Sequence, residues 1–107
     1  MTGAIRVGSK RAGAPLEFQP ELDEIQVNID RGNPLGNSHY FGTRKANIKL
    51  YGMDLDEALA KKEGPLYEEI RKLAKRVSQG ERLILMCWCK PLGCHGDLIQ
   101  RAVERLL

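Results

Sequence analysis

The last quarter of the chain carries the pattern that most constrains its fold. An apolar run, Leu83–Met86, leads into the polar stretch Cys87–Asp97, and apolar residues at helical spacing follow as far as Leu106. A strand, a turn and a helix in this order are typical of an open α/β sheet, where ligands bind at the carboxyl ends of the strands. The turn therefore predicts the place of a site. It holds all three cysteines of the chain and one of its two histidines.

Two earlier segments are predicted to be strands of the same sheet. Ala4–Ser9 and Ile25–Ile29 alternate apolar with polar residues, and the second reads as a half-buried strand. Arg82–Trp88 has few positions suited to solvent, which favours a central place. The long crossover between the last two strands favours their parallel pairing. The loops that follow them would then open into one crevice.

The middle of the chain is predicted to be a loop and two helices. Gly13, Pro15 and Pro20 interrupt the segment 12–23, which therefore reads as a loop. Thr43 can cap a helix that ends at Gly52. Asp54 can cap a second, short helix, which the glycine at position 64 would end.

The clearest helix begins at Pro65 and is ended by Gly80. Its apolar residues recur on one face: Leu66, Ile70, Leu73, Ala74 and Val77. A final helix runs from about His95 to the C-terminus. We therefore expect a small α/β fold with parallel central strands, in two or three layers. It would form a single domain over residues 1–107, with the first three residues flexible.

Composition narrows the class of protein only moderately. No stretch approaches the roughly 18 apolar residues of a membrane span, and no secretory signal opens the chain. Three cysteines within eight residues are typical of metal or catalytic sites rather than of a disulfide framework. We expect a cytoplasmic protein without a membrane partner. The net charge of +3 permits an anionic ligand, with nucleic acid as an alternative partner, and equally suits a solvated surface.

Three residues at the start of the last helix are the candidate catalytic groups. The helix N-terminus favours a thiolate at Cys94. His95 follows it, although adjacent helical side chains do not face each other, so a direct pair is not expected. His95 can instead be a hydrogen-bonded residue tucked under the sheet edge. Asp97 is either a general base, a hydroxyl-binding acid, or simply a cap for the helix.

The residues just before them have structural and functional interpretations. Cys87 is most simply a small core residue, and Trp88 is core, a lid, or a stacking surface for a ligand ring. Cys89 is a candidate ligand contact at the strand end. Zinc bound by the three cysteines and His95 is disfavoured, because the spacing does not match paired knuckles. A Cys89–Cys94 dithiol is not C-x-x-C. We expect no metal and no cofactor.

The second candidate loop follows the predicted strand at Ile25–Ile29. Its glycine, proline and asparagine residues are typical of a turn, and it is neither a P-loop nor a dinucleotide fingerprint. It could form a backbone nest for an anion, or be a structural turn alone. The candidate ligand-binding residues here are Arg31, Gly32, Asn33, Gly36 and Asn37.

These two loops together resemble the family of domains of unknown function numbered 4326 (DUF4326), found in phages and bacteria. The matching stretches are residues 28–37 and 87–97, and the resemblance covers about residues 4–107. The chain departs from the family pattern after Asn37, where Ser38-His39-Tyr40-Phe41 replaces the usual Pro-Phe. The resemblance implies a small α/β fold, and a host-cytoplasmic location if the gene belongs to a phage. It implies no reaction.

Three functions compete at this point, and catalysis is left open, as is the oligomeric state. The first is a protein that binds or acts on a nucleotide-like or phosphorylated ligand, between the Arg31–Asn37 loop and the Cys89–Asp97 turn. The second is a non-catalytic accessory module that binds a protein or nucleic acid. The third is a metal or thiol redox site. They differ in what the Cys94 side chain does.

Overall fold

The computed structural model describes residues 3–29, 34–37, 39, 42–88 and 94–107. The strands are β1 (Ala4–Ser9), β2 (Ile25–Asn28) and β3 (Arg82–Cys87). The α-helices are α1 (Arg44–Lys61), α2 (Pro65–Ser78) and α3 (His95–Arg105), and a short 3-10 helix spans Leu16–Phe18. None of the described helices is both long and apolar enough to cross a membrane.

The three strands form one parallel sheet in the order β1-β3-β2. In the central strand, Leu85 is paired with Val7 of β1 on one side and with Val27 of β2 on the other. Every residue from Leu83 to Cys87 is buried, as expected for a strand with neighbours on both edges. The predicted α/β class and the parallel pairing of the second and third strands are confirmed.

The fold has two layers of regular structure, since all three helices contribute to one core against one face of the sheet. Leu83, Leu85 and Cys87 point into this core. The opposite face carries Ile84, which is buried beneath the 3-10 helix segment. A Cβ atom on Gly8 would lie 2.5 Å from Ile84 Cδ1 and 2.7 Å from the Phe18 carbonyl oxygen. The absence of a side chain at Gly8 therefore lets this segment lie against β1.

The prediction of two short helices between residues 43 and 64 is wrong, because α1 runs unbroken from Arg44 to Lys61. Thr43 caps it as predicted, and its hydroxyl accepts from the Ala46 amide at 3.1 Å. Gly52 stays inside the helix. A Cβ atom there would lie 3.3 Å from Leu98 Cδ1 of α3. The glycine marks a close helix–helix approach rather than a stop, at a cost of about 1 kcal/mol in helix propensity.

The second helix, α2, is confirmed at both ends and along its apolar face. Pro65 is its first residue, and Gly80 follows its end with a φ of 98°. Ile70, Leu73, Ala74 and Val77 are buried and Leu66 packs against them. A proline at the first position and a left-handed glycine beyond the last are physically matched to helix ends, which makes this pattern readable from sequence.

The interpretation of β2 as a half-buried strand is wrong for most of its length. It is an edge strand, and Ile25 is 40 % exposed. Only Val27 is partly buried within it, while Ile29, just beyond its end, is completely buried. Alternation in sequence gave the strand but not how much of its apolar face is covered, since that depends on which neighbour is missing at the sheet edge.

Candidate functional site

All three strands end at the same edge of the sheet, which we call the carboxyl edge. The chain leaves it after Ser9, Asn28 and Cys87, and α3 begins there at His95. Backbone bonds continue slightly past the strands, since the Lys10 amide donates to the Cys87 carbonyl at 2.8 Å. This bond extends the pairing of β1 with β3 one residue beyond Ser9. Ligands of parallel sheets bind at such an edge.

Cys94 is the N-cap residue of α3, and only 1 % of it is exposed. The Gly96 amide donates to Cys94 Sγ at 3.4 Å. The Cys94 amide in turn donates to Asp97 Oδ2 at 3.3 Å. The Asp97 amide also donates to the Cys94 side chain, which completes a capping box in which a thiol takes the place usually held by a hydroxyl. The geometry gives Asp97 a structural task that needs no ligand.

His95 connects the start of α3 to the chain just after β2, across the carboxyl edge. Its Nε2 lies 2.9 Å from the Ile29 carbonyl oxygen. A carbonyl can only accept, so Nε2 carries the proton and Nδ1 of the neutral ring is an acceptor. The ring also meets Tyr51 edge-on, with centroids 5.0 Å apart. The predicted alternative of a hydrogen-bonded histidine under the sheet edge is confirmed in its geometry.

Contrary to expectation, Cys94 and His95 do contact each other, with Sγ and Nδ1 3.7 Å apart. The expectation assumed that both residues were helical. Cys94 is instead the cap, with extended backbone angles of −143° and 149°. Its side chain therefore does not follow the helical spacing that separates neighbours.

Cys87, the last residue of β3, contacts the Cys94 sulfur. Its Sγ is 2.9 Å from Cys94 Sγ and 3.6 Å from the Gly8 carbonyl oxygen. It is 2 % exposed, which confirms its prediction as a core residue. Cys89, which the sequence offered as the partner thiol of Cys94, lies outside the described residues.

Trp88 does not continue the buried run of β3, so the interpretation of Trp88 as a core residue is wrong, while the lid and the stacking surface stay untested. It follows the strand at a bend and is 56 % exposed. Its carbonyl oxygen accepts from Arg11 Nε. The residue before Arg11 is also a cation at this edge: Lys10 Nζ donates to Asn28 Oδ1 at 2.7 Å. An exposed indole and two cations thus border the edge.

The first loop is described only in part. Arg31, Gly32 and Asn33 lie outside the described residues, while Gly36 is half-buried. Asn37 fastens the loop to its surroundings. Its Nδ2 donates to the Asn47 carbonyl at 3.1 Å, and its Oδ1 accepts from the amide of residue 39 at 2.9 Å. These bonds give Asn37 a place in the loop scaffold.

Two residues that support the edge were not found by sequence reasoning. Tyr51 is buried, and its hydroxyl donates to the Leu35 carbonyl at 2.8 Å. Burial raises the pKa of this phenol well above its usual range, so it stays a donor. Gly96 lets α3 start against the sheet, because a Cβ there would lie 2.9 Å from Ile29 Cδ1. The only sequence signal for either was a tyrosine on an apolar helix face and a glycine beside a cap.

Acidic partners of the edge are few among the residues described here. His39 Nε2 lies 2.7 Å from Oδ2 of Asp54, a residue of α1. No three His, Cys, Asp or Glu side chains are grouped so as to hold a metal ion within residues 3–29, 34–37, 39, 42–88 and 94–107. The absence of zinc stays a prediction, since Cys89 is not among those residues.

Comparison with known proteins places the chain in a family. The model of a domain of unknown function, DUF4326, matches residues 17–105. The "Uncharacterized 12.4 kDa protein in nrdA-td intergenic region" of Enterobacteria phage T4 is 39% identical over 85 residues, 78% of this chain and 71% of the phage protein. No solved structure matches significantly. The resemblance noted from the two loops is thus confirmed, and the chain belongs to the DUF4326 family.

Proposed function

We propose that this protein binds a phosphorylated, nucleotide-like small molecule at the carboxyl edge of its sheet. The observation that supports this best is the composition of that edge. Three parallel strands end there, and Trp88 follows the central strand with an exposed side chain. Two cationic residues lie at the same edge: Arg11 Nε donates to the Trp88 backbone carbonyl, and Lys10 Nζ donates to Asn28 Oδ1. Aromatic faces bind bases, and cations bind phosphates.

The phosphate is assigned to side-chain cations rather than to the start of α3. The first amides of that helix already donate within the protein, from Gly96 to Cys94 Sγ and from Asp97 to the Cys94 carbonyl at 3.1 Å. A second anion site there would have to displace the cap. Lys10 and Arg11, together with the predicted contact of Arg31, carry the charge that an anion requires.

The base is assigned to Trp88. A stacked base contributes about 1–3 kcal/mol per aromatic contact, largely independent of which base it is. The buried Cys94 and the capping Asp97 would then shape the edge, while exposed side chains contact the ligand. In this arrangement, His95 holds the start of the first loop in place through its hydrogen bond to the Ile29 carbonyl.

The fluorescence of Trp88 provides a direct test, because it is the only tryptophan in the chain. Titration with nucleoside monophosphates should quench or shift the emission to saturation. A nucleoside and a sugar phosphate should each bind more weakly than a nucleotide, and inorganic phosphate should compete. No saturable change with any nucleotide, by fluorescence and by calorimetry, would contradict the proposal.

Two variants separate stacking from general disturbance of the edge. Trp88→Ala should weaken nucleotide binding by about 1–3 kcal/mol in calorimetry, and Trp88→Phe should retain most of the affinity. Lys75→Ala is the matched control, since Lys75 is exposed in the last turn of α2 at the opposite edge. Binding of oligonucleotides without binding of mononucleotides would favour the accessory module instead.

A further inference from the structure

We infer that Cys87 and Cys94 are a peroxide-sensitive thiol pair that closes into a disulfide between the end of β3 and the N-cap of α3. Their sulfur atoms are 2.9 Å apart, and both side chains are buried. A disulfide bond is about 2.05 Å long, so closure requires the sulfurs to approach by only roughly 1 Å. This inference is independent of the proposed ligand.

The surroundings of the two sulfurs differ, and the difference assigns their roles. Cys94 Sγ accepts from the Gly96 amide and lies 3.7 Å from Nδ1 of His95. An amide donor and a proton acceptor together favour the thiolate. Cys87 Sγ faces the carbonyl oxygen of Gly8, which can only accept a hydrogen bond. Cys94 is therefore the attacking thiol and Cys87 the one that resolves the product.

The hydrogen bond from His95 to Ile29 is part of this device. With Nε2–H directed at the Ile29 carbonyl at 2.9 Å, the lone pair of the neutral ring is on Nδ1, which faces the Cys94 sulfur. The proton of the Cys94 thiol can therefore pass to Nδ1. Tyr51 packs edge-on against the ring and restricts its rotation.

Hydrogen peroxide is the oxidant whose size suits two buried sulfurs. The Cys94 thiolate attacks one peroxide oxygen, so that an S–O bond forms and the O–O bond breaks. The departing hydroxide takes the proton held by His95 and leaves as water. Cys87 Sγ then attacks the sulfenic sulfur of Cys94, the S–S bond forms and the S–O bond breaks. The second hydroxide leaves as water with the Cys87 proton, so two thiols and one peroxide give one disulfide and two waters.

The test uses Cys89→Ser, which leaves Cys87 and Cys94 as the only cysteines of the chain. After treatment with hydrogen peroxide and denaturation, the monomer should have lost two hydrogens in mass and have no thiol that iodoacetamide can alkylate. Dithiothreitol should restore both thiols. Retention of two alkylatable thiols, or an intermolecular dimer as the main product, would overturn the inference.

Double variants test the assigned roles. Cys87→Ser with Cys89→Ser should accumulate a sulfenic acid on Cys94 that dimedone traps. Cys94→Ser with Cys89→Ser should label several-fold less at the same peroxide dose. If circular dichroism shows that either serine variant is unfolded, the alanine variants replace them. Equal labelling of the two folded double variants, or a wild-type disulfide mapped to Cys89, would contradict the Cys87–Cys94 pair.

Discussion

At the scale of single residues, Cys94 links the most parts of the candidate site. It caps α3, contacts Cys87 and lies against His95, within one buried cluster. Cys87 is as buried as Cys94, so exposure does not distinguish the two thiols. Their hydrogen-bond partners do, because one sulfur faces an amide donor and the other a carbonyl.

We therefore expect Cys94 to react faster with iodoacetamide than Cys87. The comparison uses the two double variants in which one of these thiols and Cys89 are replaced by serine, with alkylation followed by intact mass across a pH series. Adding His95→Gln should slow the Cys94 reaction and leave Cys87 unchanged, because a glutamine can donate to Ile29 but cannot accept the thiol proton as a base. Faster labelling of Cys87 would reverse the assignment.

Leu73 tests the core directly. It is buried in the middle of the apolar face of α2, and truncation of a buried leucine to alanine costs about 2–5 kcal/mol. Leu73→Ala should lower the free energy of unfolding in urea by that amount. Leu22→Ala is the control, since the side chain of Leu22 is fully exposed, and it should change stability by less than about 0.5 kcal/mol. Similar midpoints for both variants would show that α2 is misplaced.

At the scale of elements, the contact of α3 with the sheet depends on Gly96. A Cβ atom there would lie 2.9 Å from Ile29 Cδ1 and 3.0 Å from Val7 Cγ1. Gly96→Ala should therefore destabilise the protein by about 1–3 kcal/mol through overpacking, even though alanine favours a helix. Glu104→Ala, at an exposed position of the same helix, should change little. A stabilised Gly96→Ala variant would mean that α3 has room to move away.

The long loop before β2 is held to β1 by an ion pair. Arg6 donates to both carboxylate oxygens of Glu24, at 2.7 and 2.6 Å, and the Glu24 side chain is 2 % exposed. These bonds lower the pKa of Glu24 below its ordinary value of 4.5. A lowered pKa in the folded state contributes stability above the unfolded value, and this contribution is lost as the pH falls through the folded value.

Glu24→Gln should accordingly be less stable than wild type at about pH 7, by roughly 1.5–3 kcal/mol for a lost charged hydrogen bond. As the pH falls from 4.5, wild type should lose this advantage, so that the two unfolding curves approach each other. Urea unfolding over an acidic pH series measures the difference. A gap that stays constant with pH would show that the pair contributes no linkage.

The elements that the sequence predicted well are those whose ends are decided locally. Pro65 and Gly80 bound α2 because each suits one helix end by its own backbone geometry. The prediction that Gly52 ends a helix is wrong because this glycine serves a tertiary contact, the close approach of Leu98 from α3. Likewise, β2 was placed correctly but its exposure depended on being the edge strand.

The candidate site shows the same division. Its expected location at the carboxyl edge follows from the parallel pairing of the second and third strands, which the chain pattern predicts. The Cys87–Cys94 contact did not follow, because it requires the turn to bring the cap of α3 back over the end of β3. The expected separation of Cys94 and His95 is wrong for a local reason, because Cys94 is a cap residue and does not have helical backbone angles.

At the scale of the whole molecule, helices cover one face of a parallel sheet, and the carboxyl edge of that sheet is the proposed ligand site. The structural groups of that edge are buried and bonded to one another, as in the capping box of α3 and the Tyr51–Leu35 contact. Exposed groups, foremost Trp88 and Arg11, lie around them. Binding, rather than stability, is what these exposed residues are expected to serve.

Calorimetry with a nucleoside monophosphate tests this most directly, on wild type, Arg31→Ala and Lys75→Ala. We expect Arg31→Ala to weaken binding by about 1.5–3 kcal/mol, the range for a hydrogen bond to a charged group, while its unfolding curve stays unchanged. Lys75→Ala should bind as wild type does. Equal affinity of all three proteins, or no binding by wild type, would contradict a phosphate site at the carboxyl edge.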